Sequence, residues 1–224
     1  MSGTLVVADY QSGGKGRRGR VWDSPKGSSV YMTLMIRPEI PPERASMVTL
    51  VMGLSVTQAL KNMLGLETSI KWPNDVVYGK KKLVGILTEM SAQMDYIDYI
   101  VIGVGINVNT LEFPEPLNET AVSIRQALGH PVHRAQLIGE IMKSFEKNYE
   151  IFEQTRDLTG LMDEYQKVSA NYQKEVCVLE PGHQYTGICR GINSMGELLV
   201  ETEDGSVKSV YAGEVSVRGL YSYV

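Results

Sequence analysis

Two apolar, strand-like runs, Thr4-Leu5-Val6-Val7-Ala8-Asp9-Tyr10 and Ser29-Val30-Tyr31-Met32-Thr33-Leu34-Met35-Ile36-Arg37, are joined by a loop and not by a helix. The loop, Gly14-Lys15-Gly16-Arg17-Arg18-Gly19-Arg20, sets four cations and three glycines in seven residues, and Trp22 follows closely. Gly14, Gly16 and Gly19 match the spacing G-x-G-x-x-G, but a dinucleotide fold requires a helix to open there, because its N-terminus holds the pyrophosphate. Here the chain runs through Trp22, Pro25 and Gly27 into the next strand. No Gly-Lys-Ser/Thr stands at phosphate-loop spacing either. What remains is a strand–loop–strand start whose loop suits an anion: glycine allows close backbone approach, and arginine grips carboxylate or phosphate oxygens bidentately. A solvated basic turn is the plainer alternative for this segment taken alone.

The loop stands out because the rest of the chain is acidic. A net charge of -4 and a pI near 5.5 argue against a general nucleic-acid binder. The 224 residues, 43% hydrophobic, can build one sizeable core, with or without a small satellite. Cys177 and Cys189 read as reduced thiols, and His130, His133 and His183 share no ligand or nucleophile–base spacing. No apolar run is long enough to span a membrane and no secretory leader opens the chain, so a soluble, cytoplasmic protein is expected.

Along the chain, Thr4–Tyr10 reads as a buried strand. Residues 43–64 carry apolar positions at helical spacing, with Pro41 and Pro42 before them and Gly65 after. Short strands follow at 69–72, 76–78 and 82–89, then a long one at 97–108. Helices are expected at 122–128 and from Arg134 to about Asn171. From Glu175 the texture changes to short alternating strands punctuated by Pro181-Gly182, Asn193-Ser194 and Asp204-Gly205, the pattern of a small β-barrel. The expected organisation is one domain over 1–172 and a second over 173–224.

Three further motifs carry chemistry. In Lys71-Trp72-Pro73-Asn74-Asp75 a strand fixes Lys71, proline ends the ladder, and a turn projects an amide and a carboxylate; an ordinary surface turn after a core tryptophan is the alternative. Lys82 opens the otherwise apolar run Leu83-Val84-Gly85-Ile86-Leu87; it reads either as an edge residue or as a point charge beside an acyl or phosphate oxygen. Gly103 and Gly105 interrupt an apolar strand, which marks close approach by a ligand or by another backbone.

In order and spacing, the basic loop with Trp22, Lys71–Asp75, Lys82–Leu87 and Gly103-Val104-Gly105-Ile106-Asn107 resemble the biotin protein ligase family, biotin–[acetyl-CoA carboxylase] ligases. The likeness covers nearly the whole chain. It implies an α+β fold, a mixed sheet with helices like that of class II aminoacyl-tRNA synthetases, plus a C-terminal SH3-like β-barrel. It also implies activation of biotin by ATP to biotinyl-5′-AMP, with Mg²⁺ escorting the triphosphate. Transfer then goes to a lysine of the biotin carboxyl carrier protein of acetyl-CoA carboxylase.

The resemblance assigns catalysis to Arg17, Lys82, Lys71 and Asp75. Biotin binding falls to Gln11, Gly14, Lys15, Gly16, Lys82, Gly85, Gly103 and Gly105. Nucleotide binding falls to Arg17, Arg18, Arg20, Trp22, Asn74, Asn107 and Arg218, with Trp22 over the adenine and Asn74 on its edge. No protein metal ligand is assigned, no nucleic acid or membrane is expected, and a homodimer is admitted.

Two departures from the family pattern stand out. Lys15 replaces an arginine common among relatives, keeping the charge but losing the fork. The family's Ser-Thr-Asn element lies upstream of the first strand, so the catalytic domain is expected to be shortened at its N-terminus. No helix-turn-helix precedes it, so no operator binding is expected. Rival readings are a lipoate or octanoate ligase or transferase on a related scaffold, and a non-catalytic RNA- or protein-binding module.

Overall fold

The computed structural model describes residues 2–180, 183–212 and 216–219, with Glu180 and the last four by backbone alone. Its strands are β1 (Thr4–Ala8), β2 (Val30–Ile36), β3 (Ser69–Lys71), β4 (Asp75–Tyr78), β5 (Lys81–Ala92), β6 (Ile97–Ile106), β7 (Glu175–Glu180), β8 (His183–Ile192), β9 (Leu198–Glu201), β10 (Val207–Val210) and β11 (Ser216–Gly219). Its helices are α1 (Met47–Leu64), α2 (Leu117–Thr120), α3 (Ile124–Leu128), α4 (Arg134–Thr155) and α5 (Met162–Lys167). The first six strands form one antiparallel sheet in the order β1-β2-β6-β5-β4-β3. The last five form a second antiparallel sheet, β10-β9-β8-β7-β11, which is the SH3-like part of this α+β fold.

Side chains alternate across a strand, so register decides which residues share a face. Met32 pairs with Val104 and Val104 with Ile86; Leu34 pairs with Ile102. These rows are buried, and they face α1, where a Cβ built on Gly53 would lie 3.7 Å from Ile86 Cδ1. The intervening rows, Tyr31–Gly105–Gly85 and Thr33–Gly103–Leu87, turn to the opposite face.

Helix α1 is buried nearly all round, between the sheet and α4. Its buried hydroxyls find carbonyls one turn back: Ser55 Oγ donates to Val51 O at 2.7 Å and Thr57 Oγ1 to Gly53 O at 2.9 Å. Asn148 of α4 closes the seam by donating to Ser55 Oγ and Gln58 Oε1. Gly65, with φ 64°, caps the C-terminus as an αL residue. The expectation that no run could span a membrane needs correcting. Residues 42–64 are long and apolar enough by length and composition, but 72% of the most apolar stretch is buried inside the fold, as in a core helix.

Three other expectations change. Strand β1 is an edge strand and is not buried: Val6 is 61% and Val7 50% exposed, because only β2 flanks it. The helical run expected from 134 to 171 breaks after Thr155, where Arg156 adopts φ 57° and caps α4; α5 starts afresh at Met162. The short helix α2 and the last strand β11 went unforeseen. The two sheets share one continuous core, in which Val176, Val178, Cys189 and Leu198 join residues of the first sheet and α1.

Candidate active site

The basic loop has a defined shape. Gly16 N donates to Arg20 O, Trp22 N donates to Gly14 O, and Lys15 bridges Val21, which folds the loop into a small hairpin. A single 3-10 turn at Arg17–Gly19 forms the tip, with Arg18 at φ 59° and Gly19 at φ 72°. Arg18 has to hold a left-handed conformation there, which costs a non-glycine residue free energy.

That fold drops the Trp22 indole onto the face of the sheet opposite α1. A Cβ on Gly85 would stand 2.7 Å from Trp22 Cζ3, and one on Gly105 would stand 2.5 Å from Cε2. Any side chain at either position would displace the ring. Gly103 differs, because a Cβ there meets only Leu87 O at 3.5 Å. The room above Gly103 belongs to a cavity of about 230 Å³ whose walls include Gln11, Thr33, Lys82 and the three glycines. The indole Nε1 is buried without a hydrogen-bond partner among the described residues. An unpaired buried donor costs about 1–3 kcal/mol, so an acceptor placed there would be stabilised.

Lys82 reaches this face through a bulge. The β4–β5 register passes from Val76↔Val84 to Val77↔Lys82, leaving Leu83 as an extra residue. Leu83 and Val84 are consecutive and both fully buried. In a regular strand Lys82 would share the core face with Val84; the extra residue re-aims it. Its Cε stands 3.2 Å from a Cβ built on Gly85, and its Nζ lies 5.3 Å from the Trp22 ring centroid and 2.6 Å from Asp75 Oδ1. The pair is about one-fifth exposed (25% and 14%), so its attraction is less screened than at an open surface.

Arg17 is half-buried. Its Nη1 donates to Asn74 Oδ1 at 3.2 Å and its Nη2 to Ala212 O at 2.5 Å, tying the loop to the end of the second sheet. Burial holds its pKa below the ordinary value, Asp75 opposes that, and Arg18 and Arg20 add to it. A larger cavity of about 810 Å³ lies under Lys15, Arg17, Arg18 and Arg20, beside the start of α1 and Tyr211. A third, of about 600 Å³, lies on the far side of Trp22, between Arg20, Lys82, Asn107 and the segment around Phe113.

The structure thus gathers Gln11, Lys15, Gly16, Arg17, Trp22, Asn74, Lys82, Gly85, Gly103 and Gly105 around one cavity. Gly14 is buried beneath the loop, Arg18 and Arg20 border the neighbouring space, and Asn107 lines the third cavity. Lys71 lines none of these cavities; it is 6% exposed and pairs in register with Asp75. Asn74 is held from both ends, its Oδ1 accepting from Arg17 and its Nδ2 donating to Ile86 O. The Arg218 backbone pairs with Cys177 in β11, and its side chain lies outside the described residues.

Sequence reasoning missed Ser24, Glu89 and the loop 110–121. Glu89 borders the two cavities flanking the basic loop. The loop walls the third, pinned by the α3 capping box: Ser123 Oγ donates to Thr110 O and Gln126 Nε2 to Leu111 O. The signal for that loop was the run Phe113-Pro114-Glu115-Pro116 between a strand end and the next helix.

Comparison with known proteins bears on the family and the fold. Residues 1–107 match the Biotin/lipoate A/B protein ligase family, and residues 174–218 match the Biotin protein ligase C terminal domain. The bifunctional ligase/repressor BirA of Bacillus subtilis is 38% identical over 217 residues, covering 96% of this chain and 66% of that protein. BirA of Escherichia coli is 33% identical, covering 97% and 67%. The chain thus spans about two-thirds of the length of these relatives. The biotin protein ligase of Aquifex aeolicus, solved in complex with biotin and ATP, superposes with a TM-score of 0.86 at 31% identity, covering 98% of this chain and 90% of that one. With both of its parts matched in order and its fold shared along nearly its full length, the chain belongs to the biotin protein ligase family.

Proposed function

We propose that this chain is a biotin–[acetyl-CoA carboxylase] ligase that makes biotinyl-5′-AMP from biotin and ATP and passes the biotinyl group to a carrier-protein lysine. One observation carries the reading: Trp22 and Lys82 stand in the wall shared by two cavities, of about 230 and 600 Å³. An acyl-adenylate is two dissimilar groups joined at one charged centre, and this arrangement offers two chambers with a cation at their junction. The smaller one, floored by glycines and reached by Gln11, takes the ring and chain of biotin. The larger one takes the nucleoside, with Trp22 offering a ring face on that side.

In the first step a biotin carboxylate oxygen bonds to the α-phosphorus, and the bond to pyrophosphate breaks. Such displacements depend mainly on positioning and on neutralising charge. Lys82 sits beside the acyl carbonyl and phosphate oxygens, and the loop arginines meet the polyphosphate. In the second step a lysine amine attacks the acyl carbon, AMP departs and the amine loses a proton. Lys82 again meets the developing charge, and Asp75 holds Lys82 in place.

Mg²⁺ is expected to arrive with the triphosphate, since such sites combine one or two carboxylates with phosphate oxygens. Asp75, held by Lys82, and Glu89 are carboxylates at this site. Lys71 has a supporting place in this reading, as a buried cation opposite Asp75. We further read 1–172 as the catalytic domain and 173–224 as the SH3-like one, and the protein as soluble and cytoplasmic, with the biotin carboxyl carrier protein as its acceptor.

The test is ATP–pyrophosphate exchange measured with biotin and with lipoate. Exchange that depends on biotin is expected. Exchange with lipoate alone would identify a lipoate ligase, and salt-sensitive RNA binding without any exchange would leave a binding module.

A further inference from the structure

We infer that Ser24 is a positioning residue, which anchors the Gln11 carboxamide at the wall of the biotin cavity. The inference rests on the ligase reading and deepens it. Ser24 is 4% exposed, and its Oγ lies 2.9 Å from Gln11 Oε1 and 3.1 Å from the Trp22 carbonyl oxygen. A hydroxyl can donate one hydrogen bond and accept another, so Ser24 can bridge the Trp22 carbonyl and the Gln11 carboxamide.

Gly14 provides the space for this pair. A Cβ there would stand 2.7 Å from Ser24 Oγ, 3.1 Å from Gln11 Oε1 and 2.3 Å from the Trp22 carbonyl oxygen. The glycine that opens the basic loop thus does more than lend it flexibility. It leaves room for a side-chain pair that reaches from the buried loop base to the cavity wall.

A carboxamide on an exposed residue otherwise turns over freely and offers either a donor or an acceptor. Held by Ser24 at one end, the Gln11 amide keeps its other end for the cavity in one fixed orientation. The ring urea of biotin carries both N–H donors and a carbonyl acceptor, so it can pair with the free end of that amide. The orientation of an amide in the pocket is thus held by a serine that lies outside the cavity wall.

The test is a double-mutant cycle on the full chain, read by biotin-dependent ATP–pyrophosphate exchange. Ser24→Ala is expected to raise the KM for biotin about tenfold, as loss of one oriented hydrogen bond does, leaving kcat and the KM for ATP within about twofold. In a Gln11→Ala background, Ser24→Ala should add less than about twofold, because its effect runs through the amide. An unchanged biotin KM in Ser24→Ala overturns the inference. So does an equal rise in both KM values, or an effect that multiplies in full with Gln11→Ala. If the unsubstituted chain shows no biotin-dependent exchange, the ligase reading falls and this inference with it; normal exchange with an indifferent Ser24→Ala overturns this inference alone.

Discussion

The two faces of the six-stranded sheet are made from the same strands and do opposite work. Toward α1, Val84, Ile86, Ile102, Val104 and Ile106 are branched side chains with almost nothing exposed. On the other face the alternate residues of β5 and β6 include Gly85, Gly103 and Gly105, and the missing side chains make room for an indole and a cavity. One face gains stability from volume, and the other gains a cavity from its absence. Residues one position apart should therefore fail in different assays, and that separation can be tested.

The largest effect is expected at the re-aimed lysine. Lys82→Ala removes the cation between the chambers and leaves Asp75 without its 2.6 Å partner. Exchange and carrier labelling should each slow by about 10²–10³-fold, the usual loss for one preorganised charge-stabilising group. A normal exchange rate would remove Lys82 from the first step. Next is the core face: Ile86→Ala should lower unfolding free energy by about 2–5 kcal/mol while the folded fraction keeps its turnover. If Ile86→Ala instead abolished turnover without loss of stability, the division between the faces would collapse.

Smaller again is Gly103→Ala. Its methyl has space in the free protein, 3.5 Å from Leu87 O, yet takes volume from the cavity. Melting temperature should hold, and the biotin KM should rise about tenfold, close to 1.4 kcal/mol. The smallest change belongs far from both faces. Asp204 is held down to about 2, first by hydrogen bonds from Thr202 and Ser206. Its folded value lies below the ordinary 3.8, so its contribution is complete above that value and is lost as pH falls through about 2. Asp204→Asn should lower Tm slightly at neutral pH, with the difference vanishing near pH 2.

Much of this was legible in the sequence because it is written in local periods. The alternation of Val104 and Ile106 with Gly103 and Gly105 gives both the strand and its empty face. The proline pair and Gly65 bracket α1, and the change of texture at Glu175 announces the second sheet. Contributions from distant residues were not legible. The bulge that turns Lys82 depends on pairing with β4, and Arg17 finds Ala212, 195 positions away. Asn74 looked like a free amide because the Arg17 and Ile86 groups that occupy it lie elsewhere in the chain. Val6 and Val7 looked buried because apolar residues in a strand suggest two neighbours, and β1 has only one.

The Lys71–Asp75 motif has an end that faces away from the chemistry. Trp72 Nε1 donates to Gly196 O, its backbone N–H donates to Asn171 Oδ1, and a Cβ on Gly196 would strike Leu50 of α1 at 2.7 Å. The turn that carries Asn74 and Asp75 is thus bolted at its rear to the β8–β9 connection. Cutting the chain before β7 would bare that indole and empty part of the shared core. A truncated protein that lost activity would report a collapsed foundation and say little about any separate duty of the second sheet. Point changes on that sheet's outer surface, which leave Gly196 and its neighbours seated, are the cleaner instrument for learning what it contributes.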